Sequence, residues 1–214
     1  MTPGRLARRL LGNRGSRVVG GAYRALFVDI GKVVEAISRR IPAGAHVLDV
    51  GGGDGAIVNL LLAHRADICV TTIDVAPVVG QWIDAAHADR IVRLPHTTLA
   101  DYLASSRPLP QVLLMTDVMH HVPPGERGAL LKTISDVMRA APSLRIIVKD
   151  VEPGYFRARL GYLSDRYITG DREVRLVSRS ELIAAMRGID QGICWSETDL
   201  FANDKPNYAL VFWR

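Results

Sequence analysis

The residues with the clearest chemical potential are four glycines that follow an apolar stretch. Gly51, Gly52, Gly53 and Gly55 lie within VLDVGGGDGAIVNLLL at 47–62, where a strand pattern runs directly into a helix pattern. Glycines let the backbone turn sharply and approach a ligand closely, and the first amides of a helix attract negative groups. The segment therefore predicts a loop that binds a nucleotide-like ligand.

Two carboxylates narrow the choice of ligand. Asp49 lies two residues before the glycines and suits a cationic group, whereas Asp74, near the end of the next predicted strand, is placed to accept hydrogen bonds from two ribose hydroxyls. S-adenosylmethionine carries a carboxylate and an ammonium group at one end and a ribose at the other, so it satisfies the helix start and both acids. The glycine spacing alone is also compatible with NAD.

The elements that must position these residues alternate from Ala45 onward between strand and helix patterns. Nearly continuous apolar runs predict strands at 46–50, 68–75, 91–94, 111–115 and 144–148. Helix patterns lie at 56–65, 77–88 and 125–141, with a weak turn near 100–105. This order predicts an α/β, Rossmann-like open sheet, mostly parallel, with helices on both faces.

The two ends of the chain differ from this alternation. Ala22 to Arg40 has helical spacing, and we expect residues 1–44 to form a helical arm or cap on a single domain at 45–214. Near the other end, SELIAAMR at 180–187 reads as a helix with a capping serine. Two strand patterns follow at 193–200 and 208–213, which predicts a terminal antiparallel hairpin and about seven strands in all.

Residues 45–150 resemble the core of class I S-adenosylmethionine-dependent methyltransferases in four motifs that occur in order. VLDVGGGDG resembles the family's first motif, and IDVAP resembles its second, which implies that Asp74 binds the ribose and Val75 flanks the adenine. QVLLMTDVMHHVPP at 111–124 resembles the fourth-strand motif of the ubiquinone/menaquinone methyltransferase-like branch, and IIVKDVEP at 146–153 resembles the fifth strand of some small members. The family's acidic residue after the third strand is missing, so Thr97, Thr98 and Asp101 remain alternatives for the adenine contact.

Several side chains follow the fourth and fifth strands, where ligands bind in open α/β sheets. His120 and His121 are candidate general bases, and Asp117 is a candidate contact near the transferred methyl group. Lys149 and Asp150 are candidate substrate contacts. Adjacent histidines lack the usual spacing of metal ligands, so the sequence predicts no metal site.

The stretch from 155 to 179 interrupts the alternation and is a candidate cover for the acceptor. It contains aromatic side chains among six arginines, and Tyr162 and Tyr167 are candidate substrate contacts. The alternative is that the aromatic residues belong to the core and the arginines are solvated.

Charge and composition limit the partners. Residues 1–45 carry nine Lys or Arg against two acids, whereas the rest carries 18 against 20, so the basic excess belongs to the arm, a candidate for peripheral membrane contact. The arm has little aromatic interleaving and DVMHHVPP differs from the motif of base-amino methyltransferases, which argues against nucleic acid. We predict a cytoplasmic methyltransferase with a small-molecule or lipid-like acceptor. A non-catalytic S-adenosylmethionine-binding protein and an NAD-dependent oxidoreductase are the alternatives.

Overall fold

Seven strands form one sheet in the computed structural model, which describes residues 29–155, 174–199 and 206–214. The strands are β1 (His46–Val50), β2 (Cys69–Ile73), β3 (Ile91–Leu94), β4 (Val112–Thr116), β5 (Arg145–Val151), β6 (Cys194–Asp199) and β7 (Asn207–Trp213). The middle residues of β1, β4 and β5 are buried on both faces, as their continuous apolar runs predicted. All seven predicted strands are confirmed to within a few residues at their ends.

Helices cover both faces of the sheet. The described helices are α1 (Ile30–Ser38), α2 (Ala56–His64), α3 (Leu99–Ala104), α4 (Pro124–Ala140) and α5 (Arg179–Ile189), with a 3-10 helix at Ala85–Arg90. Apolar residues of α1 and α2 share one core cluster with the sheet, and those of α3, α4 and α5 share the other. None of the helices in the described ranges is long and apolar enough to cross a membrane. Residues 22–28 of the predicted first helix lie outside the described residues.

The strand order reverses near the middle of the sheet. The order is β3-β2-β1-β4-β5-β7-β6, and all pairs from β3 to β5 are parallel. The chain adds strands toward one side of the sheet from β1 to β3 and toward the other side from β4 onward, so the strand order reverses between β1 and β4. Open α/β sheets bind ligands outside the strand ends at such a reversal. The predicted antiparallel hairpin is confirmed, and its second strand, β7, inserts between β5 and β6.

The predicted helix at 77–88 is wrong except at its end. Only Ala85–Arg90 is helical, in a 3-10 turn, and the residues before it form irregular loops. Here the amides of Gly80 and Trp82 donate to the carbonyl oxygens of Gly53 and Asp54 in the glycine loop, at 2.8 Å each. These bonds across to another segment take the place of the bonds that a helix would make within itself.

Two helix starts also differ from the sequence prediction. The weak turn at 100–105 is the helix α3, which begins with a capping box between Thr98 and Asp101. The cap of α5 is Ser178 rather than Ser180, because the Ser178 hydroxyl accepts the amide of Glu181 and the Glu181 carboxylate accepts the amide of Ser178. The apolar spacing indicates where the helix lies, but two nearby serines offer competing caps.

The capping box of α5 predicts unequal effects of two serine substitutions. Ser178→Ala removes the acceptor for the Glu181 amide and should lower the free energy of unfolding by about 1 kcal/mol. Ser180→Ala, two residues later inside the helix, should change it by less than about 0.5 kcal/mol. Urea unfolding of both variants measures the difference, and equal effects would contradict the assigned cap.

Candidate functional site

The glycine loop follows β1 and folds back over the end of β2. The amides of Gly51 and Gly52 both donate to the carbonyl oxygen of Ile73, at 2.9 and 3.1 Å. Gly52 must be glycine, because a Cβ there would lie 1.8 Å from the Thr72 hydroxyl oxygen and 2.5 Å from an Asp49 carboxylate oxygen. The backbone of the loop thereby lies directly on two buried polar side chains.

Asp49 is a buried acid beneath this loop. Its side chain is 1 % exposed, and the Thr72 hydroxyl donates to its Oδ2 at 2.8 Å. Burial raises the pKa of Asp49, the Thr72 hydrogen bond lowers it and the nearby charge of Asp74 raises it, and together they bring it to about 7. The predicted cofactor residue therefore titrates near neutral pH.

Asp74 joins the end of β2 to the glycine loop. Its Oδ2 accepts the amide of Gly53 at 2.9 Å, and its Oδ1 accepts the amide of Ala76 at 2.8 Å. Each carboxylate oxygen can accept a second hydrogen bond, so the half-buried group can still receive donors from a ligand. Val75, the next residue, is 70 % exposed and presents an apolar surface beside it.

A second segment, Val79–Ile83, packs on the outside of the glycine loop. Besides the two amide bonds described above, Gly80 Cα and the Ile83 side chain crowd the position of a Cβ on Gly55, which has φ +83° at the start of α2. The Arg93 guanidinium donates to the carbonyl oxygens of Gly80 and Ile83, at 3.2 and 3.3 Å. The glycine loop is held on its inner side by β2 and on its outer side by this segment.

The alternatives for the adenine contact occupy different positions after β3. Thr98 and Asp101 bind each other in the cap of α3, with the hydroxyl donating to the carboxylate at 2.6 Å. Thr97 donates its amide to the carbonyl oxygen of Asp74 at 2.9 Å and its hydroxyl to the carbonyl oxygen of Pro95. Of the three, Thr97 is the one whose backbone contacts Asp74.

His120 and Asp150 form a buried pair where β4 and β5 end. His120 Nδ1 lies 2.6 Å from Asp150 Oδ1, and the His120 amide donates to Asp150 Oδ2 at 3.3 Å. Burial raises the pKa of Asp150, but the charge and hydrogen bond of His120, with smaller contributions from the Val151 amide and Lys149, hold it below its ordinary value. The His121 ring is tilted against that of His120, with the centroids 4.2 Å apart.

Lys149 and Asp117 form a second ion pair beside the first. The Lys149 side chain is 0 % exposed, and its Nζ donates to both carboxylate oxygens of Asp117, at 2.6 and 2.8 Å. Asp117 has a left-handed backbone with φ +59°, and its amide donates to the Lys149 carbonyl oxygen. Its side chain is 38 % exposed, so the pair has an accessible carboxylate and a buried ammonium group.

The structure thus brings together the predicted site residues of the described ranges along the carboxyl edge of the sheet. Tyr162 and Tyr167 lie outside the described residues. The acids and glycines of β1 and β2 lie on one side of the β1–β4 reversal, and the histidine and lysine pairs lie on the other.

Solved structures of methyltransferases share this arrangement of elements. Mitomycin 7-O-methyltransferase matches with a TM-score of 0.65 and 19% sequence identity over 85% of this chain and 52% of that one. An O-methyltransferase family protein from Burkholderia thailandensis matches with a TM-score of 0.67 and 16% sequence identity over 96% of this chain and 61% of that one. An O-methyltransferase from neocarzinostatin biosynthesis matches with a TM-score of 0.60 and 16% sequence identity over 83% of this chain and 51% of that one. It was solved with S-adenosylmethionine and 2-hydroxy-5-methyl naphthoic acid.

The chain has the Rossmann-like fold of these methyltransferases. It spans about half to three fifths of the length of each of the three. Neither a family model nor a curated protein sequence matches it.

Sequence reasoning missed two residues that hold the glycine loop. Thr72 pairs with Asp49 in the parallel register of β1 and β2, and its signal was a polar residue inside an apolar strand, two positions before Asp74. Arg93 had no comparable signal, because its partners are carbonyl oxygens of a loop that the sequence predicted as helix.

The buried Asp49 predicts a pH-dependent gain in stability for Asp49→Asn. Since the pKa is about 7 in the folded protein and 3.8 in the reference state, the unfolded chain loses this proton first as pH rises. The contribution of Asp49 to stability is therefore greatest below pH 4 and falls up to pH 7. The variant should become more stable than the wild type by up to about 4 kcal/mol at pH 8.

Urea unfolding from pH 4 to pH 8 measures this difference. In a control variant, Asp136→Asn, the replaced carboxylate is exposed on α4 and its pKa is lowered by Lys132, so its stability relative to the wild type should not rise with pH. A pH-independent difference for Asp49→Asn would contradict the prediction.

Proposed function

We propose that the protein is an S-adenosylmethionine-dependent methyltransferase that acts on a hydroxyl group of a small molecule. The observation that carries this proposal is the glycine loop, set between the two acids Asp49 and Asp74 at the reversal of strand order. The fold shared with methyltransferases, two of which were solved with S-adenosylmethionine, supports it.

The residues beneath and beside the loop fit this cofactor. The missing side chain at Gly52 lets the loop backbone lie directly on Asp49, whose buried carboxyl group would be stabilised in its charged form by a ligand ammonium group. Asp74 would receive the ribose hydroxyls and Val75 would lie against the adenine, with Thr97 as the nearest candidate for the adenine amino group. When bound, S-adenosylmethionine supplies an electrophilic methyl group for in-line transfer.

His120 is the proposed general base, and Asp150 is its positioning residue. A proton on Nδ1, donated to Asp150, places the lone pair on Nε2, where the imidazole can accept the proton of an acceptor hydroxyl. The buried carboxylate also stabilises the imidazolium that this transfer produces. Asp150 contacts both the ring and the backbone amide of His120, and this double contact fixes the orientation that a general base requires.

Hydroxylated aromatic acids are the first acceptors to test. The neocarzinostatin enzyme was solved with 2-hydroxy-5-methyl naphthoic acid and also with 1,4-dihydroxy-2-naphthoic acid. The resemblance of the motif at 111–124 to the ubiquinone/menaquinone methyltransferase-like branch supports a lipid-like acceptor as the second class to test. A cytoplasmic location, with the basic arm touching a membrane surface, belongs to the same proposal.

Calorimetric titration tests the cofactor assignment first. The wild type should bind S-adenosylmethionine and its demethylated product and should not bind NAD. Asp74→Ala removes the acceptor for the ribose hydroxyls and for the Gly53 amide, so affinity should fall by about 10- to 100-fold for both ligands.

Asp67→Ala is the matched control. Asp67 lies at the other end of β2 and also accepts a glycine amide, that of Gly44 at 2.9 Å, but it faces the opposite edge of the sheet. Its substitution should leave the affinity unchanged. Binding of NAD instead, or equal losses in the two variants, would overturn the cofactor assignment.

Turnover tests the base. With hydroxynaphthoic acids as acceptors, His120→Asn should lower kcat by about 10²- to 10⁴-fold while leaving the Kd for S-adenosylmethionine unchanged, because the imidazole acts on the acceptor. Release of the demethylated product measures the rate. His121→Asn is the adjacent control and should lose less than about tenfold, so equal losses would reject His120 as the base.

A further inference from the structure

Three potential metal ligands converge at the ends of β4 and β5. One ligand atom from each of Asp117, His120 and Asp150 lies within 4.8 Å of the others. An imidazole and two carboxylates are a donor set that suits divalent zinc, manganese or cobalt. The spacing of these residues along the chain gave no hint of the cluster.

A cation from the chain itself is bound to one member of this cluster. The Lys149 ammonium lies against both carboxylate oxygens of Asp117, and its charge also lowers the pKa of Asp150, after the larger effects of burial and His120. The ammonium group is fully buried. Lys149 is therefore hydrogen-bonded to one carboxylate of the potential metal site and lies near enough to the other for its charge to act on it.

The present geometry favours the ammonium group over a metal ion. His120 Nδ1 and Asp150 Oδ1 are 2.6 Å apart, a hydrogen-bonding distance. Two ligands at tetrahedral positions about 2.1 Å from one ion would be separated by about 3.4 Å, so metal binding would have to break this bond. The positive charge of Lys149 would also repel the ion from Asp117.

We infer that Lys149 is the resident cation of a latent divalent-metal site formed by Asp117, His120 and Asp150. The ammonium group supplies the positive charge that a metal would otherwise supply, and it holds Asp117 in place without occupying a coordination position on His120. Replacing it with a neutral side chain leaves two carboxylates around a histidine, with no lysine to balance them. The inference goes beyond the proposed function, and its test requires neither cofactor nor acceptor.

Titration with Co²⁺ tests the inference, because the visible absorption of the ion reports nitrogen and oxygen ligation. Lys149→Met, which keeps the length of the side chain, should bind Co²⁺ at least about a hundredfold more tightly than the wild type. Lys149→Arg keeps the charge and should not show this gain. The double variant Lys149→Met/Asp117→Asn lacks one of the three ligands and should lose the gain in Co²⁺ affinity.

A second measurement holds even if the neutral variants fail to fold. In the protein with Lys149 intact, Asp117→Asn should not change Co²⁺ affinity, because the cluster does not bind the ion. Micromolar binding by the wild type that is lost in Asp117→Asn would overturn the inference, and so would a folded Lys149→Met without tighter binding. Circular dichroism checks the fold of each variant.

Discussion

The contact between Asp49, Thr72 and the backbone of Gly52 is the constraint on which the glycine loop depends. A buried carboxyl group is costly unless it is hydrogen-bonded, and here the Thr72 hydroxyl from the adjacent strand provides that bond. The two side chains fill the space in which a Cβ of Gly52 would lie, so the loop backbone rests on them without a spacer. A cationic ligand group above the loop would offset the desolvation that raises the pKa of Asp49. Asp49 lowers the stability of the protein while no ligand is bound, and it is also the residue suited to bind a cationic ligand group.

The other half of the edge depends on two consecutive residues of β5. Lys149 and Asp150 contact two different residues that follow β4, Asp117 and His120. Tyr208 pairs with Asp150 in the antiparallel register of β7 and donates its hydroxyl to the Val177 carbonyl oxygen. The insertion of β7 beside β5 thus places a buried aromatic ring next to the carboxylate that orients the histidine.

The sequence predicted the parts of this structure that depend on local pattern. Continuous apolar runs indicated the strands, and the acids and glycines at their ends indicated the edge at which we propose that a ligand binds. The helix at 77–88 was predicted wrongly because its backbone bonds go to the glycine loop, a contact between distant segments that local spacing does not encode. For the same reason the partners of His120 and Lys149 were not foreseen, although their positions after β4 and on β5 were.

Charge divides the edge of the sheet into two unequal halves. In the described part of the chain, Asp49 and Asp74 accept hydrogen bonds from a hydroxyl and from backbone amides, all of them neutral donors. Across the reversal at β1 and β4, Asp117 is paired with an ammonium group and Asp150 with an imidazole. The chain therefore balances its own acids beside β4 and β5 and leaves negative charge beside β1 and β2. A ligand that carries positive charge is favoured beside β1 and β2. A neutral molecule that gives up a proton is favoured beside β4 and β5.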